Sequence, residues 1–425
     1  MGIAVGGVRA AHYTAAMCGI AGFLDLKRQT GADELAAAAI GMADALIHRG
    51  PDSSGVWCDE ATGVALAFRR LAIIDTSAAG NQPMRSGNGR YILIYNGEIY
   101  NFRELRRELE ETGVAFRGDA DSEVLLEGIA AWGVAATLTR LIGMFAFAVW
   151  DREQRELWLA RDRLGIKPLY YGLCGGLFLF GSELKALRAK DGWRPRLDRD
   201  ALAGFARFNY VPAPRSIYTG IHKLEAGAYL RYRPGDTPQI QRYWDMAAVA
   251  AQPRRKICDA DAIDEAEALI GDAVRRRMVA DVPLGALLSG GVDSATVVAL
   301  MQQASTRPVR TFTIGFSQSD FDESGPARAV AAHLGTDHTE IMLTARDARG
   351  LIPDLADCYD EPFADSSALP TRLVSAMARR DVTVALSGDG GDETFLGYNR
   401  YRAAPAAWRR AQRLPVGPRR AAASR

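Results

Sequence analysis

The sequence has few of the features that mark a secreted, metal-binding or nucleic-acid-binding protein. Its five cysteines are an odd number at irregular spacing, which argues against a disulfide framework and favours a reducing, cytoplasmic compartment. No Cys-x-x-Cys or His-x-x-x-His spacing indicates zinc, and the five histidines are scattered. A net charge of +1 gives no field that would favour nucleic acid or a membrane surface.

Long apolar runs and targeting segments are also lacking. The longest apolar run, residues 141–150, is too short to span a bilayer and stops at Asp151. The first sixteen residues are interrupted by Arg9 and His12, which makes them a poor secretory signal. With 425 residues, 48% of them apolar and 24% charged, the composition is that of a globular protein of two or three domains.

The most informative stretch is an apolar run that ends in two glycines. Residues 285–288 predict a buried strand, Ser289-Gly290-Gly291 a tight turn, and the apolar residues after Ser294 a helix. Backbone N–H groups at the positive end of such a helix suit an anion. Asp293 would repel a phosphate, so it predicts an intervening metal cation or a cap on the helix. An ordinary strand-to-helix turn is the alternative.

Five motifs follow one another earlier in the chain. Taken singly, each is compatible with a structural role such as a buried cysteine, a surface salt bridge or a helix cap. They are Met17-Cys18-Gly19-Ile20-Ala21-Gly22-Phe23, His48-Arg49-Gly50-Pro51-Asp52, Phe68-Arg69-Arg70-Leu71-Ala72-Ile73-Ile74-Asp75, Tyr95-Asn96-Gly97-Glu98-Ile99-Tyr100-Asn101 and Gly118-Asp119-Ala120-Asp121-Ser122-Glu123.

In this order, the five motifs resemble the glutaminase domain of the class II, N-terminal-nucleophile amidotransferases. The resemblance implies that Cys18 is the nucleophile and that its own α-amino group is the base, which requires no histidine. Amide hydrolysis also requires donors for a developing oxyanion. The further roles implied are oxyanion donors at Asn96 and Gly97, a glutamine carboxylate partner at Arg70, ammonium partners at Glu98 and Asp121, and a pocket organiser at Arg49. Arg161-Asp162 and Ser182-Glu183-Leu184-Lys185 also match, and we interpret them as structural.

The sequence departs from this family at its start, because Cys18 is internal and its amine lies in a peptide bond. We expect either that translation begins at Met17, with that methionine removed, or that residues 1–16 are a cleaved leader. A mature chain that begins before Cys18 would argue against glutaminase activity.

The strand and helix patterns predict two domains of different class, α+β followed by α/β. Many strands with few helices in residues 17–200 predict an αββα sandwich of antiparallel sheets. Residues 201–256, rich in proline and aromatic residues, form a connector, along which ammonia passes in the family. Strands and helices then alternate in residues 257–425, beginning with a helix at 262–279, which predicts a doubly wound parallel sheet. The loop at residues 289–294 and a second glycine-rich loop at residues 387–393 each follow a strand, so one nucleotide would reach both.

The loop Ser289-Gly290-Gly291-Val292-Asp293-Ser294 resembles the pyrophosphate loop of the ATP pyrophosphatases, and the second domain as a whole resembles asparagine synthetase. The resemblance implies ATP and Mg²⁺. The acid cluster of the second glycine-rich loop would otherwise repel triphosphate, although a structural turn is the alternative. By resemblance, Asp389 supports the aspartyl-adenylate and residues 360–367 lie near the acceptor. The ATP contacts implied are Leu288, Ser289, Gly290, Gly291, Asp293, Ser294, Ile314, Ser387 and Gly388, with Asp293 and Asp392 facing Mg²⁺.

The resemblance ends near Arg402, where family members continue with a helical stretch that carries a lysine near the adenylate. We therefore expect the 425-residue chain to have reduced or no synthetase activity and to retain glutaminase activity. Its basic tail is interpreted as a frayed stub rather than a nucleic-acid contact. Glutamine, aspartate and ATP are the expected substrates. The sequence is compatible with a homodimer and does not decide the oligomeric state. The alternatives are an amidotransferase for another carboxylate such as a sugar acid, a β-lactam-forming synthetase, which Cys18 disfavours, or an inactive product.

Overall fold

The computed structural model describes residues 17–316, 322–413 and 415–417. The proposed leader, residues 1–16, lies outside these ranges. The described residues form two units. The first takes the chain up to Ala266 together with Val279–Pro283 and Ala345–Thr383, and the second takes Glu267–Met278, Leu284–Thr344 and the chain from Val384. The limits of the four predicted domains stay a prediction.

Sixteen strands and fifteen α-helices are present in the described residues. The strands are β1 (Gly19–Asp25), β2 (Ser53–Asp59), β3 (Val64–Arg70), β4 (Met84–Arg85), β5 (Tyr91–Ile99), β6 (Gly143–Asp151), β7 (Glu156–Arg161), β8 (Tyr170–Cys174), β9 (Leu177–Gly181), β10 (Ile221–Lys223), β11 (Ala228–Tyr232), β12 (Gln239–Arg242), β13 (Leu284–Leu287), β14 (Arg310–Phe316), β15 (Asp337–Leu343) and β16 (Val384–Leu386). The helices are α1 (Ala32–Asp44), α2 (Phe102–Glu111), α3 (Asp121–Trp132), α4 (Val134–Arg140), α5 (Leu184–Arg188), α6 (Arg199–Phe208), α7 (Met246–Ala250), α8 (Asp259–Arg277), α9 (Val292–Ala304), α10 (Ser324–Leu334), α11 (Ala345–Gly350), α12 (Leu355–Cys358), α13 (Ala368–Ala378), α14 (Gly391–Phe395) and α15 (Asn399–Gln412).

The first unit contains two six-stranded antiparallel sheets, ordered β10-β8-β9-β1-β3-β2 and β12-β11-β7-β6-β5-β4. Successive side chains of a strand point to opposite faces, and both faces are apolar here. On β5, Ile92 and Ile94 enter the core between the sheets, whereas Leu93 and Tyr95 enter a second core under α2, α3 and α4. A third core packs α1 and α5 on the outer face of the first sheet. The predicted αββα sandwich is confirmed.

The second unit contains a parallel sheet in the order β15-β14-β13-β16. The strand order reverses between β13 and β16, so the loops after these two strands diverge from one crevice, which is where open α/β sheets bind ligands. Val298, Met301 and Ala331 from α9 and α10 pack with the sheet residues Ala286 and Leu386. The parallel α/β class predicted for this part of the chain is confirmed.

Two negative observations hold for the residues that the structure describes. None of their helices is long and apolar enough to cross a bilayer. In the same ranges, no group of three or more His, Cys, Asp or Glu side chains is arranged to hold a metal ion.

Candidate active site

Cys18 directly precedes β1 and lies partly buried against the core between the two sheets. Its Sγ accepts a hydrogen bond from the Leu71 N–H at 3.3 Å and lies 3.4 Å from the Leu71 carbonyl oxygen. Burial raises the pKa of the Cys18 thiol, while the Leu71 N–H and the charges of Lys167 and Arg49 lower it. The thiol is therefore held in place by backbone but needs a base to become a nucleophile.

Arg49 secures the backbone of Cys18. Its Nε donates to the Cys18 carbonyl oxygen at 3.1 Å, and its Nη1 lies 2.6 Å from the Glu183 carboxylate. The third nitrogen, Nη2, is buried with no hydrogen-bond partner among the described residues. Arg49 thus lies at the predicted pocket with one charge-bearing donor still available.

Asn96 and Gly97 lie in β5 and pair with β6. Asn96 is 1% exposed, and its Nδ2 has no hydrogen-bond partner among the described residues. A buried amide donor without an acceptor costs free energy, about 1–3 kcal/mol, unless a ligand supplies the acceptor. A Cβ added at Gly97 would meet the Phe145 backbone, so the close pairing of β5 with β6 requires glycine there. The arrangement fits the expected oxyanion donors.

Asp121 and Glu98 are two buried carboxylates of the first unit, and the charge of Asp121 acts on the thiol. Asp121 begins α3, and its Oδ2 accepts hydrogen bonds from the Tyr95 hydroxyl at 2.7 Å and the Ile99 N–H at 2.9 Å. Burial raises the pKa of Asp121, and these hydrogen bonds oppose the rise. The Asp121 charge in turn raises the pKa of Cys18, which places the two groups within electrostatic reach. Glu98 is buried on β5.

The Arg70 guanidinium is not fully available to a substrate carboxylate, because the loop that follows Arg70 accepts many of its hydrogen bonds. Its Nη1 donates to the Ser77 carbonyl oxygen at 2.7 Å and to Asn81 Oδ1 at 2.9 Å. Its Nη2 donates to the Asp75 carbonyl oxygen. The structure therefore shows a buried arginine that shapes residues 75–81, and its predicted contact with a substrate carboxylate stays a prediction.

The structure adds two side chains that the motifs did not assign to the site. Lys167 is 4% exposed, and its Nζ lies 2.7 Å from the Met17 Sδ. Burial lowers the pKa of Lys167 to about 8, against the charge of Glu98, which raises it. Glu183, interpreted above as structural, binds Arg49. Lys167 and Glu183 each belong to a polar segment at the end of an apolar strand or just after it. This position was the one signal in the sequence that marked either residue as part of the site.

The loop between β13 and α9 has the shape expected for an anion site. Gly290 has φ +77, and a Cβ there would stand 2.7 Å from the Ala327 nitrogen, so glycine is required. The Ser294 Oγ accepts from the Ser289 N–H at 3.1 Å and donates to the Gly291 carbonyl oxygen at 3.2 Å. These bonds fix the turn at the N-terminus of a 13-residue helix.

The loop after β16 packs directly on the first loop. A Cβ added at Gly388 would stand 2.7 Å from the Ser294 nitrogen, and one added at Gly391 would collide with the Asp293 carboxylate. The two predicted glycine-rich loops are therefore brought together at the point where the strand order reverses.

The remaining predicted nucleotide contacts lie on the same strand ends. The Leu288 N–H donates to the Phe312 carbonyl oxygen at 2.9 Å, which places Leu288 beside β14, where Ile314 is half-buried. In the second loop, the Ser387 hydroxyl donates to Asp389 Oδ2 at 3.0 Å. Asp389 is exposed, so its carboxylate is open to a ligand.

Asp293 and Asp392, the expected magnesium partners, lie in the first turns of α9 and α14. The Asp293 carboxylate lies against Gly391, whereas the Asp392 carboxylate lies against Gly397. Magnesium is commonly bound by one or two carboxylates together with substrate phosphates. This donor set fits Mg²⁺ that arrives with a nucleotide, and does not form a preassembled metal cage.

Two family models match the chain: a glutamine amidotransferase domain over residues 17–244 and asparagine synthase over residues 265–425. A putative glutamine-hydrolysing asparagine synthetase of Mycobacterium tuberculosis (strain H37Rv) is 40% identical and aligns over 91% of this chain and 61% of its own length. Asparagine synthetase 1 of Bacillus subtilis (strain 168) is 37% identical over 88% of this chain and 58% of its own length. A putative asparagine synthetase of Methanocaldococcus jannaschii is 36% identical over 90% and 76%.

The chain thus spans about three fifths of the length of the first two relatives. Among solved structures, a glutamine phosphoribosylpyrophosphate amidotransferase from B. subtilis, complexed with ADP and GMP, matches with a TM-score of 0.41 and 17% identity, over 76% of this chain and 81% of that one. On the matches to its sequence, the chain belongs to the family of glutamine-hydrolysing asparagine synthetases.

Proposed function

We propose that the protein is a glutamine-dependent asparagine synthetase, which releases ammonia from glutamine in its first unit and activates aspartate with ATP in its second. The observation that carries the proposal is the buried Asn96 Nδ2, which has no hydrogen-bond partner among the described residues and lies in the unit that holds Cys18. Such a donor has a use in a reaction that develops negative charge on oxygen. The names of the relatives support the acceptor, aspartate.

In the first unit, the Cys18 thiolate attacks the side-chain amide carbon of glutamine. Once Cys18 heads the chain, its α-amine takes the thiol proton and passes it to the departing ammonia. Asn96 Nδ2 and the Gly97 N–H stabilise the oxyanion, and water then hydrolyses the thioester to glutamate. Asp121 and Glu98 supply negative charge for the substrate ammonium.

In the second unit, the loop N–H groups and the serine hydroxyls at the start of α9 bind the ATP phosphates. Aspartate attacks the α-phosphorus, pyrophosphate leaves, and ammonia then displaces AMP from the mixed anhydride. Asp293 and Asp392 would hold Mg²⁺ together with the phosphate oxygens, and the cation would supply positive charge for the departing pyrophosphate. Asp389, exposed beside Ser387, contributes to adenylate formation.

ATP–pyrophosphate exchange tests the acceptor. Exchange is measured with aspartate, glutamate and a sugar acid such as glucuronate, each at the same concentration. We expect selectivity for aspartate, and the selectivity among the three acids, rather than the absolute rate of exchange, decides the question. Exchange that depends on the sugar acid would replace the proposed acceptor. Calorimetry that detects no ATP binding would favour an inactive product.

The base of the first reaction is tested at the N-terminus. Mass spectrometry of the chain isolated from its natural source is expected to show a mature protein that begins with Cys18. A mature chain that begins before Cys18 and still releases glutamate from glutamine would contradict the proposed role of the α-amine, and one that begins earlier and releases none would argue against glutaminase activity.

A further inference from the structure

A buried cluster of charges around Glu183 connects the thiol site with a distant stretch of chain. We propose that Glu183 is a positioning residue, through which the seating of residues 357–361 controls glutamine hydrolysis at Cys18. The inference rests on the proposed function and deepens it by naming a device that regulates the thiol site. The Glu183 network comprises His48, Arg49, Glu183, Lys185 and Asp360.

Glu183 gathers three basic side chains. Its carboxylate lies 2.9 Å from His48 Nε2, 2.6 Å from Arg49 Nη1 and 2.7 Å from Lys185 Nζ, and its side chain is 14% exposed. Burial alone would raise the pKa of Glu183, but the hydrogen bond from His48 and the charge of Arg49 hold it well below its usual range. Glu183 is therefore an anion throughout the physiological range, and it fixes the positions of its partners.

On one side, the network reaches the nucleophile. Arg49 Nε donates to the Cys18 carbonyl oxygen, so the carboxylate that orients Arg49 also orients Cys18. Cys18 and Glu183 flank neighbouring strands. Cys18 directly precedes β1, Glu183 follows β9 by two residues, and β1 pairs with β9. Without Glu183, the Cys18 carbonyl oxygen is the acceptor that remains for the Arg49 guanidinium among the described residues, and the orientation of Arg49 is no longer fixed.

On the other side, the network reaches residues 357–361. Lys185 Nζ lies 3.3 Å from Asp360 Oδ1 and donates to the Asp357 carbonyl oxygen at 3.1 Å, while the Lys185 N–H donates to Asp360 Oδ2 at 2.9 Å. The neighbouring Glu361 accepts from the Ile217 N–H at 2.7 Å. Lys185 thus contacts both Glu183, which binds Arg49, and residues 357–361.

The position of residues 357–361 in the sequence indicates which parts of the chain the Glu183 network connects. Residues 357–361 fall within the part matched by the asparagine synthase model, yet they belong to the first structural unit. When an event in the synthase part moves residues 357–361, the electrostatic attraction between Lys185 and Glu183 changes. If Asp360 withdraws, Lys185 keeps Glu183 as its carboxylate partner and draws it away from Arg49, which loosens Cys18.

The test compares Asp360→Asn with Asp354→Asn in the full chain. Asp354 precedes that segment, also within Ala345–Thr383 of the first unit, and pairs with Arg372 at 2.9 Å, outside the Glu183 network. We expect Asp360→Asn to lower kcat for glutamine hydrolysis by about fivefold or more with little change in KM, because small misplacements of a nucleophile cost rate rather than binding. Asp354→Asn is expected to stay within about twofold of the parent.

Coupling is tested by adding Glu183→Gln. If the network acts as one device, the double variant Glu183→Gln with Asp360→Asn loses no more than Glu183→Gln alone. Losses that multiply would show that the two carboxylates act independently and would overturn the proposal, as would equal effects of Asp360→Asn and Asp354→Asn. Thermal unfolding of each variant confirms that it is folded.

A second readout separates this inference from the proposed function. Alkylation of Cys18 by iodoacetamide, followed by peptide mass spectrometry, requires no glutamine, and the exposed Cys258 serves as internal reference. Because loosening of Arg49 removes a cation that favours the thiolate, we expect Asp360→Asn to slow Cys18 alkylation at least about threefold relative to Cys258. An unchanged ratio overturns the inference. A parent that alkylates normally but never hydrolyses glutamine contradicts the proposed function instead.

Discussion

The two candidate reaction centres differ in how much of each is completed by the chain itself. In the first unit, Cys18, Arg49 and Asp121 are buried or partly buried, and neighbouring groups hold them at hydrogen-bond distances. In the second, Ser289 and Asp389 are exposed on loops that lead into the helices α9 and α14. A thiol reaction gains from excluded water, whereas a nucleotide brings its own charges and cation to an open site.

Glycines show the same difference. Gly97 lets two strands of the first unit pair closely, whereas Gly388 lets two loops of the second unit touch at the proposed nucleotide site. The first glycine therefore serves the protein core beside the site, and the second serves the site itself.

The largest expected effect comes from a substitution that removes the reaction of the first unit and leaves nucleotide binding in the second unit unchanged. Cys18→Ala is expected to lower glutamine hydrolysis by at least about 10³-fold, because removal of a nucleophile leaves only binding and oxyanion stabilisation. ATP binding, measured by calorimetry, is expected to stay unchanged. The control is Cys58→Ala, a partly buried thiol in β2 whose pKa burial raises to about 11, and it should keep full glutaminase activity. Persistence of glutamine hydrolysis in Cys18→Ala would contradict the assignment.

Asn96→Ala tests whether the buried donor of the first unit acts in the transition state. Loss of one oxyanion donor is expected to lower kcat by about 10²–10³-fold with a small change in KM. Asn101→Ala is the matched control, because Asn101 is also buried but its side chain is satisfied by the Arg140 carbonyl and the Ile142 N–H. That variant should lose stability rather than kcat. Similar kinetics for both variants would show that Asn96 is a structural residue.

Gly388→Ala tests the contact between the two loops of the second unit. The added Cβ would stand 2.7 Å from the Ser294 nitrogen, so the loops must separate. We expect ATP to bind about tenfold more weakly, a loss of about 1.4 kcal/mol, and glutamine hydrolysis to be unaffected. Gly325→Ala is the control, because a Cβ there meets nothing within 4 Å. Equal ATP affinity in both variants would remove this loop from the site.

Lys167→Met tests the cost of burying a cation beside the thiol. The folded-state pKa of Lys167, about 8, lies below the ordinary value of 10.5, so between these values the unfolded chain binds the extra proton and the parent gains stability as pH rises. Below pH 8 the parent carries the full penalty, and Lys167→Met is expected to be more stable by about 3 kcal/mol. The difference should vanish above the ordinary lysine pKa.

Denaturation at neutral and at alkaline pH measures this difference. Lys27→Met, which removes an exposed lysine, is the control and should show no such convergence. If Lys167→Met is less stable than the parent at neutral pH, the ammonium is stabilised by its surroundings and the sign of the effect is reversed.

The parts of the fold set by local pattern were predictable from sequence. Many strands with few helices predicted the sandwich, and the strand-to-helix alternation predicted the parallel sheet. The helix expected at 262–279 begins earlier, as α8 (Asp259–Arg277). Acidic Asp259 and Asp261 occupy its first turn and three arginines its last, which matches the helix dipole better than apolar spacing alone.

The parts of the site that depend on distant residues were not predictable. Glu183 and Arg49 are separated by 134 positions, and no local pattern pairs them. Lys167 lies in a turn, where lysine is ordinarily exposed, and only the packed sheets bury it. The donors of Arg70 are turned toward its own loop, which a motif cannot show. The motifs therefore identified the residue types, while tertiary structure decided their partners.

The smallest expected effect compares the same chemical change in the two regions. In the second unit, Asp272 pairs with Arg276 at 2.7 Å one turn along α8, with half of the Asp272 side chain exposed. Such a pair contributes a few tenths of a kcal/mol, and an acid near the C-terminal end of a helix opposes the dipole, so Asp272→Asn should shift stability by less than about 0.5 kcal/mol. Glu183→Gln removes a buried carboxylate from three basic groups, and we expect it to cost several times more, about 3 kcal/mol. Comparable thermal unfolding of the two variants would show that the buried network of the first unit is no more important to the fold than a surface pair.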